Sequence, residues 1–149
     1  MYRYKPNVTV ACIIKCKDKY LMVEESIDGQ LRYNQPAGHL EAHESLLEAC
    51  QREVQEETGL KVTPQSLIGV YQFQASSELA FLRFTYFCQL DSQRTPHPQD
   101  STINRALWLS LAEIQALNHQ LRSPLVLQCI EDQLQGKQFS TDVVNCQFL

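Results

Sequence analysis

Six glutamates crowd into residues 38–60 of the chain. Within this stretch, residues 45–48 have the S-x-x-E form of a capping box, which starts a helix, and Gly59 can adopt the left-handed conformation that ends one. We therefore predict a helix over residues 45–58. At 100° per residue, three glutamates of this helix fall within roughly one 100° arc, namely Glu53, Glu56 and Glu57. Their carboxylates should converge on one place.

Converging carboxylates of this kind predict a metal site. Glutamates spaced three and four residues apart on a helix repel one another, so a counter-charge is needed. Mg²⁺ prefers oxygen ligands and is bound in proteins by a few carboxylates together with waters and substrate phosphates. The alternative is a solvated acidic face, neutralised by pairs that Arg52 forms with Glu48 and Glu56. The helix alone does not decide between the two.

The spacing of the flanking residues does decide. Gly38, five residues, Glu44, seven residues and then REVQEETGL resemble the signature of the Nudix hydrolases at every fixed position, G-x5-E-x7-R-E-U-x-E-E-x-G-U with U aliphatic. This resemblance implies a single Nudix domain over residues 1–149, with an α/β/α sandwich around a central mixed sheet. It also implies hydrolysis of a diphosphate linked to another moiety, with Mg²⁺ or Mn²⁺ as cofactor. The catalytic residues implied are Arg52, Glu53, Glu56 and Glu57, of which the glutamates bind metal and Arg52 holds a ligand glutamate in place.

The loop before the helix contains Gly38, which suggests that another group approaches the backbone closely there. Many Nudix relatives have an aromatic-x-Leu-Pro-Gly-Gly pattern at this place, whereas this chain has Gln35 and Ala37 instead of the Leu and the first Gly. The resemblance implies that a backbone carbonyl at Ala37 or Gly38 is a further metal ligand, a role that needs no side chain. His39 and His43 are alternative ligands, although solvated loop histidines explain them more simply.

Composition limits the kind of protein that must position these groups. With 149 residues, 44% of them hydrophobic, the chain suits one domain with a proper core. The net charge of -4 gives no attraction for a nucleic acid polymer or an anionic membrane surface. The N-terminal apolar run of about seven residues is too short for a signal or a membrane span. We expect a cytoplasmic enzyme, monomer or homodimer, that acts on a small phosphorylated substrate. Its six scattered cysteines should be buried, reduced thiols.

The remaining pattern predicts the elements that surround the acidic helix. Strands are expected at residues 7–15, 20–24, 31–34, 67–75, 79–90 and 105–109. A second capping box at residues 110–113 opens a short helix. The last helix should have Ser123 as its N-cap and Pro124 as its first residue, and should end at Gly136. The polar stretch 91–104 is predicted to be a loop over one end of the sheet.

Arg83 is the unusual residue of the predicted strand 79–90. By strand alternation it shares a face with Phe81 and Phe87, so a cation would lie among apolar neighbours and must reach a partner. A salt bridge, an edge position and a substrate-binding arginine that contacts phosphate all satisfy this pattern.

Several further strings resemble the NudJ-type branch of the Nudix superfamily: VTVAC, YNQPAGHLEAHE, FLRF and LRSPLV. This resemblance implies phosphatase action on nucleoside tri- and diphosphates and on thiamine-pathway pyrophosphates. It also makes Arg122 a candidate substrate-binding residue, the alternative being a surface arginine. The competing functions are a nucleoside-diphosphate-sugar pyrophosphatase and a non-catalytic nucleotide-sensing module, and the intact signature argues against the second. The general base stays open between a signature carboxylate, Asp100 and Glu78.

Overall fold

The computed structural model describes residues 2–149, and its centre is a seven-stranded mixed sheet. The strands are β1 (Asn7–Cys16), β2 (Lys19–Ile27), β3 (Gln30–Asn34), β4 (Ala37–His39), β5 (Ser66–Gln74), β6 (Ala80–Gln89) and β7 (Ile103–Ser110). The main order is β3-β2-β1-β6-β5, with β4 beside β1 and β7 beside β2. β1 runs parallel to β6, and the other pairs are antiparallel. β1 lies centrally because it is apolar on both faces.

The acidic helix, α1 (Leu46–Thr58), forms where the sequence predicts it. The Ser45 hydroxyl accepts a hydrogen bond from the Glu48 amide, and the Glu48 carboxylate accepts one from the Ser45 amide. At the other end, Gly59 has φ 75° and its amide bonds to the Gln55 carbonyl. Both ends are therefore fixed by residues within or next to the helix.

Helices cover both faces of the sheet. On one face, even-numbered residues of β1 pack against α1; this core includes Val10, Cys12, Ile14, Ala49, Cys50 and Val54. On the other face, the opposite side of β1 and β2 packs against α2 (Leu111–Ala116) and α3 (Leu125–Leu134); this core includes Ile13, Met22, Ile114, Val126 and Ile130. The predicted α/β/α sandwich with a central mixed sheet is confirmed.

Two local predictions need correction. The segment expected to be a plain loop before α1 contains strand β4, in which Ala37 pairs with Ala11 and His39 with Thr9. The last helix begins at Leu125, and Pro124 occupies the cap position predicted for Ser123. The Ser123 hydroxyl still accepts a hydrogen bond from the Leu125 amide, at 3.2 Å, so it caps the helix from one residue further out.

The cysteines are free thiols, as predicted, and five of them are buried: Cys12, Cys16, Cys50, Cys88 and Cys129. Cys146, near the C-terminus, is exposed, contrary to the prediction that all six are buried. Within residues 2–149, no helix has both the length and the apolar character needed to span a membrane.

Candidate active site

Glu57, in the last turn of α1, is a buried carboxylate. Its Oε1 accepts a hydrogen bond of 2.9 Å from the backbone amide of Ala37 in β4. Burial raises the pKa of Glu57 to about 8, against the effect of this hydrogen bond, and the nearby charges of Glu53, Glu25 and Asp100 raise it further. An anion in this environment gains free energy from any cation that reaches it.

Arg52 links the other signature carboxylates. Its Nε and Nη2 donate to the two oxygens of Glu44 at 3.0 and 2.8 Å, and its Nη1 donates to Glu53 Oε1 at 2.8 Å. A longer contact of 3.3 Å reaches Glu56, and Nη2 also donates to the His39 carbonyl. The guanidinium therefore fixes the Glu53 side chain, as the resemblance implied, and ties the loop before α1 to the helix.

Glu44 secures the start of α1, and it does so partly through Arg52. Its Oε1 accepts the backbone amide of Glu41 at 2.8 Å. The hydrogen bonds from Arg52 are the main reason that the pKa of Glu44 lies below its ordinary value. Glu44 precedes the helix, and the long arginine side chain of Arg52 reaches back to it.

Gly38 lies against the Glu53 carboxylate. A Cβ built at Gly38 would overlap the carboxylate atoms of Glu53, so no larger residue fits while Glu53 keeps this position. The close approach predicted from the sequence is therefore real, and the approaching group is a side chain of the signature helix. Burial raises the pKa of Glu53, although Arg52 partly opposes that effect.

The predicted metal ligands form an oxygen donor set that fits a hard divalent cation. Glu53 and Glu57 are partly desolvated, repel each other and adjoin the β4 backbone at Ala37 and Gly38. Full convergence of the three glutamates is not found: Glu56 is about half exposed and turns toward Arg52, with its side chain 43% accessible. Across residues 2–149, no three acidic, histidine or cysteine side chains form a closed metal site. The arrangement is an open cluster of carboxylates.

A cleft of about 400 Å³ adjoins Glu57, Ala37 and Gly38. Arg83 also lines it, although its side chain is buried and the residue is only 5% exposed. The cleft therefore brings the buried carboxylate of α1 and the buried cation of β6 to one cavity.

Arg83 has neutral hydrogen-bond partners. Its Nη2 donates to Gln35 Oε1 at 2.8 Å and, more weakly, to Asn34 Oδ1 at 3.4 Å. Its Nε is buried without a partner among residues 2–149, and no carboxylate in that range pairs with it. Burial lowers the pKa of the guanidinium. The salt-bridge alternative is wrong, and so is the edge position, because β6 lies between β1 and β5.

Gln35 is a residue of this site whose role the sequence did not suggest. It is fully buried, its Nε2 donates to the Val126 carbonyl in the first turn of α3, and its Oε1 accepts from Arg83. The available signal was the departure from the leucine that many Nudix relatives have at this position. A buried amide in place of an apolar side chain must have hydrogen-bond partners.

Arg122 lies at the rim of the same cleft, next to Ser123. Its backbone amide donates to the Tyr33 carbonyl at 2.8 Å, which holds the start of α3 against the end of β3. Its side chain is exposed and forms no ion pair with the carboxylates of residues 2–149. The structure thus brings Arg122 to the cavity that Arg83 lines.

The remaining candidate residues differ in whether they lie near the acidic cluster and the cleft. Asp100 lies close enough to raise the pKa of both Glu53 and Glu57, and its backbone amide bonds to the Glu56 carbonyl. Glu78 is exposed in the β5–β6 turn and has no such contact. His39 lines the cleft, whereas His43 lies in an exposed turn with φ 66°. Glu25 of β2 also lines the cleft and was not predicted; an acidic pair in a strand carries no distinctive motif.

Comparison with known proteins identifies the family. A model of the NUDIX domain matches residues 3–128 of the chain. The chain belongs to the Nudix family. A curated relative, phosphatase NudJ of Escherichia coli (strain K12), is 44% identical over 142 residues, covering 95% of this chain and 92% of the relative. The chain is thus a Nudix hydrolase, an enzyme that acts on phosphorus-containing acid anhydrides, and it is similar to the phosphatase NudJ.

Solved structures of Nudix proteins share this architecture. A NUDIX hydrolase from Nitrosomonas europaea is 48% identical, with a TM-score of 0.87, and the match covers 95% of this chain and 97% of that one. The NUDIX domain of Shewanella oneidensis NrtR, complexed with ADP ribose, is 16% identical with a TM-score of 0.76 over 90% of each chain. The second likeness supports the fold alone.

Proposed function

We propose that this Nudix hydrolase uses Mg²⁺ or Mn²⁺ to release orthophosphate stepwise from nucleoside tri- and diphosphates, and that it also accepts pyrophosphates of the thiamine type. The observation that carries the proposal is the shared cavity of Glu57 and Arg83, two buried groups of opposite charge that are not paired with each other. A metal-bound diphosphate has a cationic and an anionic part, and it complements both. The 44% identity to a phosphatase named NudJ supports the choice of products.

In this proposal, Glu53, Glu56 and Glu57 hold the cation together with the backbone at Ala37. A cation held there would neutralise charge on the phosphoryl oxygens and lower the pKa of a water bound to it. Arg52 keeps Glu53 oriented through its 2.8 Å hydrogen bond. A carboxylate of the acidic cluster orients or deprotonates the attacking water, and Asp100 is better placed for this than Glu78 because it lies nearer to Glu53 and Glu57.

Arg83 and Arg122 bind the substrate phosphates. The Arg83 guanidinium is oriented by Gln35, and its Nε has no partner among residues 2–149. A planar guanidinium can hold two phosphate oxygens at once, and a buried charged hydrogen bond is strong because water does not compete for it. Arg122, at the exposed rim, adds a second positive charge on the route into the cleft.

The test is chromatography of early products from a nucleoside triphosphate, a nucleoside diphosphate, thiamine diphosphate and ADP-ribose in the presence of Mg²⁺. We expect orthophosphate from the first three and no turnover after chelation of the metal. Pyrophosphate and a monophosphate as first products from the triphosphate would exclude the phosphatase assignment. Preferential cleavage of ADP-ribose would favour the sugar-nucleotide pyrophosphatase, and binding without turnover of any substrate would indicate a sensing module.

A further inference from the structure

The cleft has an aromatic end that the phosphate chemistry does not explain. Phe73 of β5 and Phe81 of β6 are directly opposed across the two strands. Their ring centroids lie 6.4 Å apart, with 18° between the ring planes. Both residues line the cleft and both stay partly exposed. Leu79 and Leu125 extend this apolar surface along the same cavity.

The aromatic pair lies next to the phosphate-binding position. Phe81 and Arg83 are two residues apart on β6, so their side chains share a face and their Cα atoms are separated by about 7 Å. The opposing residues of β5 follow the same order, since Tyr71 pairs with Arg83 and Phe73 with Phe81. A ligand whose phosphate contacts Arg83 therefore has this pair within reach of a group attached through a short linker.

A purely structural interpretation is available, because cross-strand aromatic pairs stabilise sheets and β5 is an edge strand. In the next pair along the strands, Tyr71 and Arg83, the tyrosine is held against a helix. The Tyr71 hydroxyl is bonded to Asp132 of α3 at 2.7 Å, so that part of the face is covered by the helix. Phe73 and Phe81 lie beyond that contact and face the cleft, which leaves their ring surface accessible to a ligand.

We propose that Phe73 and Phe81 form the binding surface for a planar heterocycle of the substrate, so that the enzyme selects phosphoanhydrides whose phosphates are joined to such a ring by a short linker. This inference rests on the proposed function, because it places the phosphates at Arg83 in the same cleft. Stacking on aromatic side chains tolerates different bases, since every base has a π-face. The surface therefore accounts for one enzyme acting on several nucleotides and on thiamine-type pyrophosphates, and it disfavours diphosphates without a ring.

The test measures binding, so that it does not depend on which products the enzyme releases. The probes are α,β-methylene-ADP, which carries a ring, and methylenediphosphonate, which does not; both resist hydrolysis between the phosphorus atoms. Each is titrated with Mg²⁺ into the wild-type chain and into Phe81→Ala. We expect Phe81→Ala to weaken α,β-methylene-ADP by about ten- to a hundred-fold, the scale of one lost aromatic stacking contact. The affinity for methylenediphosphonate should not change.

Three further variants separate binding from structure. Phe81→Tyr keeps the ring and should restore the affinity for α,β-methylene-ADP, whereas Phe73→Leu should weaken it in the same selective way. Leu82→Ala is the matched control, because Leu82 is the neighbouring apolar residue of β6 on the opposite face and does not line the cleft. If Phe81→Ala and Phe73→Leu weakened both probes equally, or neither, the binding surface would be excluded. Release of products other than orthophosphate would contradict the proposed function. It would not affect the binding result for Phe73 and Phe81, because that result does not depend on which products are released.

Discussion

The sharpest test of the cleft is Arg83→Lys. Lysine keeps the positive charge and loses the planar fork, so the variant separates charge from geometry. In the structure, one nitrogen of Arg83 is engaged with Gln35 at 2.8 Å, and Nε has no partner within residues 2–149. A lysine has a single nitrogen at its tip, which can keep the contact with Gln35 or reach a ligand with good geometry, but cannot reproduce both directions of the fork.

The magnitude follows from that loss. One charge-assisted hydrogen bond contributes about 1.5–3 kcal/mol, so its removal should lower kcat/KM by about ten- to a hundred-fold. Metal affinity should stay unchanged, because the hydrogen bonds of Arg83 run to Asn34 and Gln35 and not to the carboxylates that we propose bind the metal. The change should appear with nucleoside diphosphates and with thiamine diphosphate alike, since the phosphates are common to both.

Gln35→Glu complements Arg83→Lys, because it keeps the planar guanidinium of Arg83 and compensates its positive charge. A carboxylate at this position would lie where Gln35 Oε1 now accepts from Arg83, and would neutralise the guanidinium. The same change removes the hydrogen bond from Gln35 Nε2 to the Val126 carbonyl, at a cost of about 1–3 kcal/mol of stability. We expect a higher KM for diphosphates with a modest decrease in melting temperature.

The assay is steady-state hydrolysis by both variants, with thermal melting and metal titration of each. A structural role for Arg83 gives the opposite pattern. Arg83→Lys would then lower the melting temperature by several degrees and leave kcat/KM intact, and Gln35→Glu would supply an ion pair without changing KM. Either result would end the phosphate assignment.

Three further predictions concern the acidic cluster and the core beneath the cleft. Glu57→Gln should lower kcat by about a hundredfold or more, while the melting temperature of the metal-free protein is kept near pH 4.5 and raised above pH 8, because the amide oxygen still accepts from Ala37 and the variant cannot form a buried charge. Gly38→Ala should displace the Glu53 carboxylate and weaken metal binding in a titration. Asp132→Asn should destabilise the fold by about 1–3 kcal/mol in urea titrations at pH 7, and the difference should be smaller when the titration is repeated near pH 3.

The pH dependence expected for Asp132 follows from its hydrogen bonds. Burial alone would raise the pKa of Asp132, but hydrogen bonds from Tyr71, Lys137 and Gln128 outweigh burial and hold it below its ordinary value. A carboxyl whose folded pKa is lowered adds stability above its unfolded pKa of about 3.9 and loses it as the pH falls through the folded pKa. Equal destabilisation of Asp132→Asn at both pH values would show that the contribution comes from packing.

Local signals explain which parts of the fold were predictable. The bounds of α1 were correct because both ends depend on neighbouring residues, namely the reciprocal Ser45 and Glu48 hydrogen bonds and the left-handed Gly59. Strand β4 was missed because three residues carry too little pattern, and what makes them a strand is pairing with β1, 28 residues or so earlier in the chain. A strand that forms only by pairing with a distant segment has no recognisable periodicity of its own in the sequence.

The hydrogen-bond partners of buried charged residues could not be predicted for the same reason. Alternation placed Arg83 correctly among apolar neighbours, but its partner Gln35 is 48 residues away in the sequence. Glu24 is a second case: it is buried, and it accepts hydrogen bonds from the Tyr33 hydroxyl at 2.6 Å and from Arg105 at 3.1 Å. These hydrogen bonds outweigh burial and lower its pKa. Strand periodicity predicts which face a residue occupies and says nothing about which polar group meets it there.

The segment Asn34 to Ala37 gives the cleft its electrostatic character. Glu57 and Arg83 are buried ionisable groups, one acidic and one basic, that line the same cavity. The Gln35 side chain accepts a hydrogen bond from Arg83, and the Ala37 amide donates one to Glu57. Each group thus has a neutral partner that orients it without compensating a charge, and ionisation of Glu57 in the free protein is disfavoured because burial raises its pKa to about 8. A ligand with a cation at one end and phosphates at the other relieves both charges at once, so metal and diphosphate should bind more tightly together than either does alone.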